Sequence, residues 1–207
     1  MKYSFPALLL LALLFSHCSD KPEFSLSVKQ IKCNNIENPS GTDSVPLFSW
    51  LLSSDVKGQQ QSAYRIIVSS VPDKTEKGKG DFWDSGKINS GKNAWIRYEG
   101  KKLQPGTEYF WKVLVWDKDD MRSPWSETGT FITGLFNKED WDGAKWIAYE
   151  EVSDSLLLVP GVHGNGDKLG NKALKRTVVP LLRKEFTAKA KVKKALVFIS
   201  GLGHYEL

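Results

Sequence analysis

The chain has 207 residues, 29 Lys/Arg against 24 Asp/Glu, a formal net charge of +5, eight Trp and only two Cys. This is the composition of an exported, globular, β-rich protein; two Cys cannot build a disulfide framework, and no CxxC or His/Cys spacing suggests a metal site. The charge is uneven: residues 160–207 hold ten Lys/Arg and three Asp/Glu, or +7, which leaves −2 for the rest. A basic tail can mark a nucleic-acid surface, but export argues against that partner. Lys189, Lys191, Lys193 and Lys194 flank an apolar strand-like run, where charges guard against aggregation.

The N-terminus reads as a leader. Lys2 precedes an apolar run from Phe5 to Phe15, broken only by Pro6, and Ser16-His17-Cys18-Ser19-Asp20 follows. This is the form of a secretory signal, too short to span a hydrocarbon core of about 30 Å comfortably. Cys18 directly after the run resembles the lipobox of bacterial lipoproteins, in which that thiol is acylated and becomes the mature N-terminus. His17 departs from the small residue usual there. Lipoprotein processing over residues 1–18 is the first reading, ordinary signal cleavage the second, an uncleaved anchor the third. The expected location is the periplasm or cell surface, with Cys18 as the lipidation candidate holding the chain to the outer membrane.

From Leu26 to Thr133 short strands alternate with turn-rich segments. Leu26–Cys33 is the first strand, and its Cys33 reads as a small buried residue and not a reactive thiol. Asn34-Asn35 and Asn38-Pro39-Ser40-Gly41 break it. Pro46–Leu52 follows, with Phe48, Trp50 and Leu52 on one face by period-two alternation. Tyr64–Ser70 puts Tyr64, Ile66 and Val68 on one face. A Lys- and Gly-rich loop around Thr75–Gly80 leads into Phe82–Lys87, and Trp95–Tyr98 is another short strand.

Tyr109–Trp116 is the strongest strand, with Tyr109, Trp111, Val113 and Val115 on one face. With Leu103–Glu108 before it, it resembles the strand E to F corner of fibronectin type III domains, where a tyrosine closes onto backbone a few residues upstream. Trp50 stands where such domains keep their core tryptophan. About seven short strands over roughly a hundred residues predict a two-sheet sandwich at 25–134. Residues 135–207 read as a linker, Leu135–Trp141, and the start of a second β-domain. Its strands are Ala144–Ala148, Leu182–Phe186 and Val192–Ile199, with an irregular loop over Glu150–Val179. The strand-like pattern runs to Leu207, so the chain is expected to be the front of a longer protein.

No constellation for catalysis emerges. Asp117-Lys118-Asp119-Asp120 lacks the oxygen ladder of an EF-hand and reads as a hairpin turn. Gly161–Asp167 lacks the Lys-Ser/Thr of a P-loop. His163 and His204 have no motif around them, and no Gly-x-Ser-x-Gly elbow occurs. Catalytic, cofactor-binding and metal residues are therefore all read as none. Trp83, Trp95, Trp116 and Trp125 are candidates for stacking on a pyranose ring, against the plainer expectation that strand tryptophans fill a core.

The ordered set Pro46–Trp50, Ala63–Ile66, Trp83–Lys87, Trp111–Val113, Val115–Asp117, Ala144–Ile147, Leu182–Phe186 and Ile199–Leu207 resembles the N-terminal region of bacterial α-L-rhamnosidases of glycoside hydrolase family 78. The resemblance implies a fibronectin-like module followed by the beginning of a jelly roll. The helical barrel with the general acid and base would lie in C-terminal domains missing from this sequence. It also implies a family that removes terminal L-rhamnose from plant glycosides or polysaccharides by inversion, without an obvious cofactor. The expectation is thus an all-β, non-catalytic N-terminal fragment, inactive alone, whose partner is a plant-derived rhamnose-containing glycan. The alternative is a lipid-anchored carbohydrate-binding or spacer module.

Overall fold

The computed structural model describes residues 24–148, 181–188, 190–192 and 194–201. Cys18, the Gly161–Asp167 segment, His163 and His204 lie outside them. The chain divides into two units between Phe136 and Asn137.

The first unit is a two-sheet sandwich. β1 (Ser27–Cys33), β3 (Leu47–Ser53) and β7 (Ile96–Arg97) form the smaller sheet in the order β1-β3-β7. The larger has the order β2-β9-β8-β4-β5, from β2 (Ser40–Thr42), β9 (Gly129–Thr133), β8 (Glu108–Asp117), β4 (Gln61–Ser69) and β5 (Trp83–Asp84), with β6 (Ile88–Asn89) also on β4. Pairing is antiparallel except for β2, which crosses to the larger sheet and runs parallel to β9.

The alternating faces meet as expected. Phe48 and Trp50 on β3, Tyr64, Ile66 and Val68 on β4, and Tyr109, Trp111, Val113 and Val115 on β8 are all buried in one core with Phe131 of β9. Phe48 lies 4.4 Å from Trp111, and Tyr109 stacks on Phe131 at 5.4 Å between ring centroids. Trp50 is 2% exposed and meets Tyr64 edge-to-face at 5.4 Å. The tyrosine corner is present: the Gln104 N–H donates to Tyr109 Oη at 2.9 Å.

Three features escape the alternation pattern. A short helix α1 (Pro72–Glu76) occupies what reads as loop, and it packs against β4 and β8. Ile67 and Leu114, on the outward side of β4 and β8, are buried as well as their inward neighbours. The edge strand is split into β5 and β6 by a bulge: Ser85 donates its N–H to Ile66 O, and its Oγ accepts the Ile66 N–H at 2.9 Å. Gly86, at φ +62°, supplies the left-handed turn that follows. Past the end of the β9 ladder, Ser123 and Ser126 act as a substitute strand, their Oγ atoms accepting the N–H groups of Val115 and Val113. Pro124 between them cannot donate to a regular ladder.

In the second unit a single-turn 3-10 helix, Lys138–Trp141, opens with a capping box between Asn137 and Asp140. Ala144–Ala148 and the described parts of 182–186 and 192–199 have no strand pairing among the described residues, and Trp146, Ile147 and Phe186 are exposed. An alternating apolar segment becomes a strand only when a neighbour accepts its ladder.

Candidate functional site

The sandwich does not bring the four tryptophan candidates together. Trp83, on the edge strand β5, packs inward, stacked on Phe48 at 6.1 Å and edge-to-face with Tyr98 at 5.4 Å. Trp116 and Trp125 are half-buried, and each carries a cation of this same chain. Lys87 Nζ sits 4.8 Å from the Trp116 ring centre, and Arg65 Cζ 5.7 Å from that of Trp125. Lys87 is also paired with Asp120, and Arg65 with Asp84. Only Trp95 stands out, 59% exposed, ahead of β7 on the other sheet. Arg65 and Lys87 carry no sequence signal of their own; only the register that brings β4 against β5 and β6 reveals their role.

Three acids of the sandwich, Asp81, Asp84 and Asp117, are spent on its own donors. Arg65 grips Asp84 through two hydrogen bonds of 2.8 and 2.6 Å. That fork, aided by the Gly86 N–H and opposed by burial, holds the Asp84 carboxyl below its ordinary value. Burial works against ionisation of Asp81 too, but hydrogen bonds from Lys74 and Ser70 outweigh it and bring Asp81 down to about 2. Asp117 is fully buried. Its Oδ1 accepts the N–H groups of Asp119 and Met121, both at 2.9 Å, and its Oδ2 accepts from Gln59 Nε2 and Ser25 Oγ. Despite the burial, these bonds keep its pKa lowered. The Asp117–Asp120 segment is therefore a turn organised by its first carboxylate, with Asp120 at φ +61°.

Burial pushes the Cys33 thiol up to about 12, consistent with a packed and unreactive residue. Burial also raises the Tyr98 phenol, whose hydroxyl donates to Lys101 O at 2.7 Å. Among the described residues no three or more His, Cys, Asp or Glu are grouped to hold a metal ion. No helix among them is long and apolar enough to cross a membrane.

A three-stranded sheet facing a larger one, joined by a tyrosine corner and a buried tryptophan, defines an all-β sandwich module of the immunoglobulin and fibronectin type III kind. Residues 28–137 match the family described as the Rha78A-like, N-terminal immunoglobulin domain. The chain belongs to this family and corresponds to the N-terminal region of bacterial α-L-rhamnosidases of glycoside hydrolase family 78. It is 35% identical over 203 residues to an α-L-rhamnosidase of Formosa agariphila, covering 97% of this chain and 21% of that protein. Among solved structures, α-L-rhamnosidase from Dictyoglumus thermophilum matches with a TM-score of 0.58 and 46% identity over 60% of this chain and 14% of its own. The Streptomyces avermitilis α-L-rhamnosidase complexed with L-rhamnose matches with a TM-score of 0.58 and 36% identity over 66% of this chain and 13% of its own. The chain thus spans about a fifth or less of the length of these relatives.

Proposed function

We propose that this chain is a non-catalytic N-terminal module of an α-L-rhamnosidase-type glycoside hydrolase, one that releases terminal L-rhamnose from plant glycosides or polysaccharides through domains other than this sandwich. The observation that carries the reading is the match of residues 28–137 to an N-terminal immunoglobulin domain, and three carboxylates agree with it. A glycosidase general acid needs a raised pKa and a second carboxylate facing it across a cleft. Asp81, Asp84 and Asp117 are all lowered, and each is bound to donors of its own fold.

The test is turnover of an aryl α-L-rhamnoside by this chain alone. No release above a heat-inactivated control is expected. Release abolished by replacing one of this chain's acidic residues would overturn the proposal.

The leader reading joins this proposal as its cellular part: acylation at Cys18 would hold the module to the outer membrane, at the periplasmic or outer surface. Metabolic labelling with a fatty acid should mark the chain and fail to mark Cys18→Ser. Equal labelling of both would remove the anchor from the account.

A further inference from the structure

The outer face of the smaller sheet combines cations with exposed apolar side chains. Strand register sets its outward residues: Lys29 opposite Leu51, Lys32 opposite Ser49, and Arg97 opposite Leu47. Trp95 lies against the same face, its N–H donating to Ser49 Oγ at 3.1 Å. Leu51 is 54% exposed and Trp95 59%. The cations flank this apolar strip from β1 on one side and β7 on the other, two strand spacings or about 10 Å across and staggered along the strands. None of the three is ion-paired among the described residues. On the larger sheet, by contrast, Arg65 and Lys87 are held by Asp84 and Asp120 and already cover Trp125 and Trp116.

Trp95 is also strained. Its φ of +57° lies in the left-handed region, an outlier for a bulky side chain. The core enforces it. The Trp50 N–H donates to Asn93 O at 2.9 Å, Asn93 Nδ2 returns a bond to Trp50 O, and Gln61 Nε2 holds Ser90 O and Lys92 O. The buried pair Trp50 and Gln61 thus fixes the loop that presents the indole. The strain gains little packing in return, because the residue is 59% exposed. Backbone strain persists where the surrounding structure over-determines it, and it clusters at functional sites.

We propose that this face binds a uronate-bearing acidic polysaccharide, with the indole of Trp95 stacked on a pyranose ring and Lys29, Lys32 and Arg97 pairing with carboxylates along the polymer. The aromatic ring supplies a flat apolar platform for sugar C–H groups. The Arg97 guanidinium matches a carboxylate fork, and cations on both sides of the strip meet charged substituents projecting from either edge of an extended chain. The choice of a glycan over other polyanions rests on the glycoside hydrolase reading above.

The experiment measures binding of polygalacturonate to the full chain at low salt by calorimetry, with its methyl ester as the uncharged form of the same backbone. Saturable binding to the polyuronate is expected, lost on esterification and unaffected by Trp116→Ala. Trp95→Ala should weaken it about tenfold or more, the loss expected for one central aromatic anchor, and Arg97→Gln and Lys29→Gln should each weaken it as well. The ten cations of residues 160–207 would hold any polyanion without this face, so unchanged affinity in Trp95→Ala overturns the proposal. Equal affinity for the ester, preference for anionic phospholipid vesicles or an acidic protein, or no saturable binding also overturns it. None of these readouts involves rhamnoside turnover, so the module reading is judged separately.

Discussion

Trp50→Ala and Trp50→Phe together test how the core is built. The indole is 2% exposed, and its Nε1–H donates to Gln61 Oε1 at 3.0 Å, within the core. Truncation to Ala removes the ring that packs on Tyr64, which should cost about 3–5 kcal/mol in lost burial and cavity. It also leaves Gln61 Oε1 without its donor, adding about 1–3 kcal/mol if no other donor enters. Phe keeps one six-membered ring and loses the donor with the smaller ring, so it should cost less than Ala, about 1–3 kcal/mol. Against a total stability of about 5–15 kcal/mol, the Ala variant can fall close to unfolding, while the Phe variant stays measurable. Urea titration followed by far-UV circular dichroism reads both, and at an m-value of about 1–3 kcal/mol per molar, Phe should move the midpoint by about 1 M. An Ala variant within about 1 kcal/mol of the parent would refute the core assignment, and a Phe variant as stable as the parent would refute the hydrogen bond.

Tyr109→Phe removes the acceptor of the Gln104 N–H and should cost about 1–3 kcal/mol in the same titration, with an unchanged midpoint counting against the corner. Gly129→Ala places a Cβ 2.6 Å from Trp111 Nε1 and 2.8 Å from Ile31 Cδ1, so it should destabilise by about 1–3 kcal/mol; a neutral result would mean that the β8 and β9 edge gives way easily. Trp95→Gly relieves the left-handed backbone and should be neutral or stabilising by about 1 kcal/mol, whereas a large loss would show that the indole serves the fold. Cys33 should resist alkylation in the folded chain and react on unfolding; fast labelling of the native protein would contradict its burial. Because the folded pKa values of Asp81, Asp84 and Asp117 are lowered, their contribution is complete above the unfolded carboxylate value near 3.8 and is lost as pH falls through the folded values, about 2 for Asp81. The melting temperature should therefore drop between pH 4 and pH 2 by more than in a variant with Asp81→Asn and Asp84→Asn.

The long strands are legible in the sequence because each buries one face: the inward positions of β3, β4 and β8 follow from alternation alone. The tyrosine corner and the core tryptophan are legible for a related reason, since a buried polar ring must find a partner at a fixed place. β2 and β9 are not, as Ser40–Thr42 carries turn residues and owes its existence to a parallel neighbour some ninety residues later. Helix α1 is five residues long with one buried side chain, Thr75, too little to set up a helical period. Which tryptophan reaches solvent is equally hidden. Trp83, Trp95 and Trp116 all sit in strand-like surroundings, and only the pairing of the sheets decides which is packed, which is capped by a cation and which is left open.

The claim that Asp81, Asp84 and Asp117 serve the fold and not a reaction is tested most directly by carboxyl-carbon NMR across a pH titration. Asp81, Asp84 and Asp117 should all titrate below the ordinary value of 3.8, with Asp81 near 2. A carboxyl among them that titrates well above that value, in the range a general acid requires, would contradict the account.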